Sequence, residues 1–507
     1  MIKDFATYKQ ETGGRALLLF LLFGLAIYQF INAGFSAFAI ICALPLIIPA
    51  IYVAFKYPMA VFWLLFLYDY FVFGLQRNHL MPDNIPISLA SDGLEILLLI
   101  VAIMDARRMP QFDRAGNLML YALMAWCGFC TLQILNDTCG LGINIGAWYQ
   151  GFRIVAFQLL LAFLVFTIYI NNTKRLIQYL LLWVGVSIFA ALYTWKQIHI
   201  GFSPAESAWL VGSVTHVLQG GTLIRYFSVY SDAANFGIGI ASAAVTFLII
   251  GITNKIKKYR YLFLITGFLC IWAMFQTGTR TAIACLGAGM IAYIFLSKSV
   301  KIALPISIVS VFAFFILAFT NIGQSNQQVR RMRTVFNKKD ASAGAREINK
   351  ETISKYMKEA PWGIGLGLYG SNVPKNNKYT LMSYIPPDSH YVYIWIHTGK
   401  IGLITFIITT LLMLIGACWI VLFKIKNKSL RGIGAGFCCG FVGVHVGAYA
   451  NEALFQFPNC LLFYGGLSIV YTLPFIEKEW IEFETKELAI QEEKARLKLE
   501  KKKASRV

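Results

Sequence analysis

The feature that most restricts this chain is a succession of apolar runs, each about 20 residues long, recurring along nearly all of its 507 residues. A helix of that length covers the ~30 Å hydrocarbon layer of a bilayer. A soluble chain of several domains would instead need amphipathic helices and alternating strands, and few stretches here show either period. With 58% hydrophobic and only 14% charged residues, the sequence reads as an all-α polytopic membrane protein.

The runs predict spans at roughly 15–32, 35–55, 59–75, 86–105, 115–134, 153–170, 176–196, 232–252, 261–276, 281–297, 302–320, 400–423, 432–450 and 460–475, about 14 transmembrane helices. The domain plan is residues 1–320 with helices 1 to 11, a polar loop over 321–399, helices 12 to 14 over 400–475, and a charged helical tail over 476–507. Lys3, Lys9 and Arg15 precede the first run like a signal peptide, but a second run follows at once, so an uncleaved anchor is expected.

The net charge of +20 comes from Lys and Arg in short links between the runs. That pattern is the positive-inside bias of membrane proteins, and no nucleic-acid partner is expected. With a cytoplasmic N-terminus, alternation puts Arg107 with Arg108, Lys174 with Arg175, NKIKKYR, Lys298 with Lys301, and KIKNKSLR on the inside. The C-terminal tail is then also cytoplasmic, and the 321–399 loop is periplasmic. Most of the ten cysteines lie inside apolar runs, where thiols behave as small hydrophobes. Cys127 and Cys130 form a CxxC within a span and lack the second pair that a zinc site needs.

Against this bias, Arg77, Arg153, Arg225, Arg280, Arg330, Arg331, Arg333 and Arg346 land on the outer side. Arg77 and Arg153 are expected to snorkel to lipid headgroups. Arg280 differs, because TGTRT joins two apolar runs with almost no loop, and a poorly solvated guanidinium there requires an anionic partner. Arg225 is placed similarly, ahead of Tyr230, Asp232 and Asn235. Converging guanidinium forks suit a phosphate or diphosphate. The alternative is internal pairing with Asp232, Glu347 or Asp388.

Within the polar insert Gln324 to His390, Ile348, Ile353, Met357 and Ala360 fall at helical spacing after Arg346, so AREINKETISKYMKEAP is expected to form an amphipathic helix ended by Pro361. Gly365, Gly367 and Gly370 spell GxGxxG, but no strand precedes them, and they are read as a tight turn allowing close backbone approach. His390, one of six histidines, and Asp388 beside it are rival bases for a sugar hydroxyl, with Tyr391 and Tyr369 as acceptor-binding side chains. No histidine or carboxylate set has metal-ligand spacing, so no metal or other cofactor is expected.

Three patches together resemble the O-antigen ligase and polymerase superfamily of bacterial envelope glycosyltransferases. They are TGTRT running into IACLGAGM, Arg346 with its helix and APWGIGLGLYG, and DSHYVYIWIHTGKIGL. The resemblance covers roughly residues 220–420. Tyr391 stands where the family has Asn, and an ungapped match from the glycines puts Asp388 at the family's histidine. What the resemblance implies is a GT-C-like membrane fold in the bacterial inner membrane, a polyprenyl (undecaprenyl) diphosphate-linked glycan donor, a glycolipid or glycan acceptor, and metal-free transfer on the periplasmic face. Arg280, Arg346 and Arg225 would then hold the diphosphate, and His390 or Asp388 would serve the acceptor. Ligase and polymerase share this chemistry. A lipid-linked sugar flippase would carry matched repeats or broken spans, which are not evident, and a non-enzymatic assembly subunit would leave the outer arginines unexplained.

Overall fold

A computed structural model of the protein describes residues 51–80, 87–105, 109–213, 216–218, 223–299, 327–333 and 341–504, with scattered positions in 17–49 and 301–325. The chain forms two compact units, Met1–Leu64 and Leu65–Val507. In the first, described side chains such as Phe20, Tyr52 and Leu64 are exposed, as expected of a lipid-facing surface. The site lies in the second.

Among the described residues, nine helical stretches are long and apolar enough to cross a membrane: Pro58–Arg77, Leu118–Leu135, Ile145–Tyr169, Thr173–His199, Ala233–Thr253, Lys257–Gln276, His390–Lys424, Lys428–Ala450 and Asn459–Lys498. Ile87–Met104 and the shorter Arg280–Leu296 are apolar helices as well. The expected spans 15–32, 35–55 and 302–320 fall wholly or largely outside the described residues. The protein is thus largely helical and multi-pass, its extended pairing among the described residues being a two-residue ladder of Val217–Leu218 with Leu223–Ile224.

The Ala233–Thr253 helix is the core, with 94% of its apolar window buried. It packs against Lys257–Gln276, Arg280–Leu296 and Lys428–Gly447. With no hydrophobic drive between helices in lipid, small residues allow the close approach that makes dispersion contacts count. A Cβ on Gly440 would collide with Thr246 Oγ1, and one on Gly267 would come within 2.8 Å of Leu248.

The basic links gather at one end of this unit around the long Asn459–Ala504 helix. Thr173 N donates to Glu479 at 3.1 Å, Lys426 N to Glu477 at 2.7 Å, and Lys255 Nζ to Glu484 at 3.2 Å. Glu484 also accepts from Asn427 Nδ2 at 2.7 Å. The expected tail is continuous with the last span, and within it Arg496 pairs with Glu500 at i, i+4, 3.0 Å apart.

Two arginines depart from expectation by turning inward. Arg77 lies over the rings of Trp209 and Phe227, 4.5 and 4.2 Å from their centroids, and donates to the carbonyls of Tyr230 and Ser231 at 2.6 and 2.9 Å. Those interactions outweigh lipid exposure for a planar cation. Arg153 sits at a π-helical turn, Arg153–Phe157, and pairs with Asp92 at 2.9 Å.

Candidate active site

The site is built at the end opposite the charged tail. After the Lys257–Gln276 helix, Gly278 takes φ 57°, a conformation that favours glycine, and the chain reverses so that Arg280 opens the next helix. A reversal between two helices leaves carbonyls without helical partners, and arginines fill them. Arg225 donates through Nε to Thr277 O at 3.2 Å and through Nη2 to Thr279 Oγ1 at 3.1 Å. Arg331, on the Gln327–Arg333 helix, donates through Nε to Gly278 O at 2.8 Å. Thr279 Oγ1 in turn donates to Ala233 O at 2.8 Å, fastening the turn to the core helix.

Arg225, Arg331, Arg280 and Arg346 therefore share one field. Burial first, and then these three neighbouring cations, push Arg225 down to about 10, while Asp232 acts in the opposite sense. Arg225 still carries its charge at neutral pH. Gathering partly desolvated cations in this way costs free energy that an anion would return. Asp232 is held as the N-cap of Ala233–Thr253, accepting from Ala234 N and Asn235 N at 2.7 and 2.8 Å.

Arg346 reaches the cluster on the Ala341–Met357 helix, which buries Ile353 and Met357 and is followed by buried Ala360. Ile348, expected on the same face, is 65% exposed, because the core formed with Tyr379, Met382 and Ile396 underlies only the last turns. The glycine turn that follows lies against two helices. Gly367 has φ 74° and lies close to Ala147, and Gly363 has φ 83° and lies close to the backbone of His397 and Thr398. At Gly399 (φ 71°, ψ −173°) the helix from His390 breaks, freeing carbonyls. Ile364 N and Gly365 N donate to Ile396 O and His397 O at 2.9 and 3.2 Å. The glycines thus serve a tight turn and close approach, as their sequence context suggested.

The opposite wall is carboxylate-rich. Asp388 is half-buried with φ 52°, a left-handed conformation that Asp tolerates. His390 is buried, its ring 3.9 Å from that of Phe455 and 5.2 Å from that of Phe406, and neither ring nitrogen has a hydrogen-bond partner among the described residues. Tyr391 Oη meets His445 Nδ1 at 3.1 Å and donates to His445 O at 3.2 Å. Tyr369 is 37% exposed, and burial, then Glu452 and Asp388, raise its phenol.

Glu452 is a residue that sequence reasoning missed. It lies in the link between Lys428–Ala450 and the last helix. Burial, then Asp388 and Asp232, push its carboxyl up to about 7. Its only signal in sequence is an acid in a link expected on the outer side. In sequence nothing sets Arg331 apart from Arg330 and Arg333; in the fold Arg330 is exposed and Arg333 donates to the carbonyls of Thr320 and Ile322.

The arrangement offers a cluster of cations for an anion, beside the carboxylates of Asp388 and Glu452. Among the described residues, no group of three His, Cys, Asp or Glu is placed to hold a metal ion. No curated protein matches the chain. Residues 265–407, the stretch that carries Arg280, Arg346, the glycine turn, Asp388 and His390, match the family model described as O-antigen ligase, which supports the chain's place in the O-antigen ligase and polymerase superfamily.

Proposed function

We propose that the protein is a membrane glycosyltransferase of O-antigen ligase type, which moves a glycan from a polyprenyl diphosphate carrier to a sugar hydroxyl of a glycolipid on the periplasmic face of the bacterial inner membrane. The observation that carries this reading is the gathering of Arg225, Arg280, Arg331 and Arg346 around one turn.

A glycosyl diphosphate already has a good leaving group. Guanidiniums preorganised around the diphosphate stabilise the negative charge that grows on it, the work that a divalent ion performs in many soluble glycosyltransferases. Arg280, Arg346 and Arg225 hold the diphosphate, and the transfer proceeds without a metal. The acceptor hydroxyl is served from the Asp388 to His390 side, with Tyr369 and Tyr391 along its approach. Arg77 is a positioning residue, since it fastens the backbone of Tyr230 and Ser231 just ahead of Asp232.

Polymerase activity uses the same donor and differs in acceptor, so the glycans of a deletion strain decide between the two. Loss of a ligase leaves long glycan on the carrier and an unsubstituted acceptor glycolipid. Single repeats alone, some already on the acceptor, would reject the ligase reading and leave the diphosphate chemistry standing.

A further inference from the structure

The link from Asn451 to Pro458 bridges the two walls of the site. On the arginine side, Gln456 accepts from Ser231 Oγ, and Phe457 O accepts from Asn235 Nδ2 at 3.1 Å, next to Asp232. On the other side, Asn451 O accepts from His390 N at 3.2 Å, and Phe455 covers the His390 ring. Glu452 therefore stands between Asp232 and Asp388, and its carboxylate makes no hydrogen bond or ion pair among the described residues. Acidic side chains are scarce in this chain, with 25 Asp and Glu against 45 Lys and Arg, and a half-buried one left unpartnered carries a desolvation cost.

We infer that Glu452 is the group that takes the proton of the acceptor hydroxyl, with Asp388 tuning its proton affinity and His390 positioning the link through its backbone and ring. The inference rests on the transfer reaction proposed above. In that step the acceptor oxygen forms a bond to the anomeric carbon as its proton passes to a Glu452 carboxylate oxygen. The bond from that carbon to the diphosphate breaks, its electron pair stays on the arginine-held diphosphate, and Glu452 later releases the proton to water.

Geometry and proton affinity agree here. The groups facing Glu452 are Asp388 and Asp232 from the flanking segments, Tyr369 from the glycine turn and Tyr393 from the helix after His390, with His390 and His397 next to them. Burial first, and then the two like charges of Asp388 and Asp232, hold the carboxyl near neutrality, where a general base is most effective.

The test uses the full-length protein in vesicles, with the lipid-linked glycan and the glycolipid extracted from the deletion strain as substrates. Rates of transfer are measured from pH 5.5 to 9, and binding of undecaprenyl diphosphate is followed by its effect on thermal stability. Wild-type rates should fall on the acid side with an apparent pKa near 7. Glu452→Gln should lose roughly 10²- to 10⁴-fold in rate and the acid limb with it, while still binding undecaprenyl diphosphate. Glu452→Asp should keep part of the rate and an acid limb. Asp388→Asn removes a neighbouring negative charge and should shift the limb to lower pH.

A Glu452→Gln protein with wild-type rates or an unchanged limb overturns the inference and spares the functional reading. So does an Asp388→Asn protein that loses the limb altogether. Absence of transfer by the wild type, with no effect of undecaprenyl diphosphate on its stability, would instead overturn the functional reading.

Discussion

Arg331 donates from its guanidinium Nε to the carbonyl of Gly278 at 2.8 Å, two residues before Arg280. A side chain on one helix thereby sets the turn from which another arginine emerges.

This relationship separates two arginine substitutions. Arg280→Lys keeps a positive charge but loses the planar fork that can hold two phosphate oxygens, and transfer should fall about 10²-fold or more at equal protein abundance. Arg331→Ala releases the turn and removes one cation from the field on Arg225, and a loss of around tenfold is expected, since its guanidinium is tied to backbone. Quantifying glycan product per mole of protein checks both, and near-normal product from Arg280→Lys would remove the diphosphate clamp.

Gly399 is constrained in two ways. Its φ of 71° with ψ −173° lies in a region essentially limited to glycine, and an added Cβ would collide with the Pro361 carbonyl. Gly399→Ala should destabilise the protein by at least about 2 kcal/mol. Gly185 makes the contrast, because nothing lies within 4 Å of a Cβ built there in the Thr173–His199 helix, and Gly185→Ala should be neutral or slightly stabilising. Melting of the two variants in detergent is the measurement, and equal midpoints would refute the argument.

Much of this was legible in the chain itself. The break at Gly399 falls where the expected span begins at residue 400, since a Gly directly before a 20-residue apolar stretch marks a boundary. The buried face of the Arg346 helix was readable from Ile353, Met357 and Ala360 because helical period is a local property. Ile348 was misassigned because period identifies a face but not how far along it the core extends. Glu452 was out of reach, since its surroundings come from Asp388 and Asp232, both remote in sequence. Arg77 and Arg153 were read as lipid-facing for the same reason: Trp209, Phe227 and Asp92 come to them only through the fold.

The clustering of basic links around the long C-terminal helix yields a topological expectation. Asn376 is exposed in the polar insert and Lys426 is exposed at the basic end. With the basic end cytoplasmic, a cysteine at 376 should react with an impermeant thiol reagent in intact spheroplasts and one at 426 only after lysis. The reverse pattern would invert the orientation and with it the proposed periplasmic face.

Glu452 also has a consequence for stability that does not require substrate. Its carboxyl is raised from 4.5 to about 7, so the folded state holds the proton more tightly than the unfolded chain. The contribution to stability is fully present below the unfolded value of 4.5 and is lost as pH rises through about 7, by at most about 3 kcal/mol. His216 acts in the other direction. Burial and Arg225 lower it to about 4, so its contribution is present above 6.5 and lost as pH falls towards 4. The wild-type melting curve mixes both groups, whereas the difference between wild type and Glu452→Gln isolates the carboxyl. That difference should be small at pH 5, grow in favour of the variant as pH rises to about 7, and level off above it. A constant offset across this range would mean that Glu452 titrates as an ordinary carboxylate, and the link between Asp232 and Asp388 would then have to be regarded as scaffold.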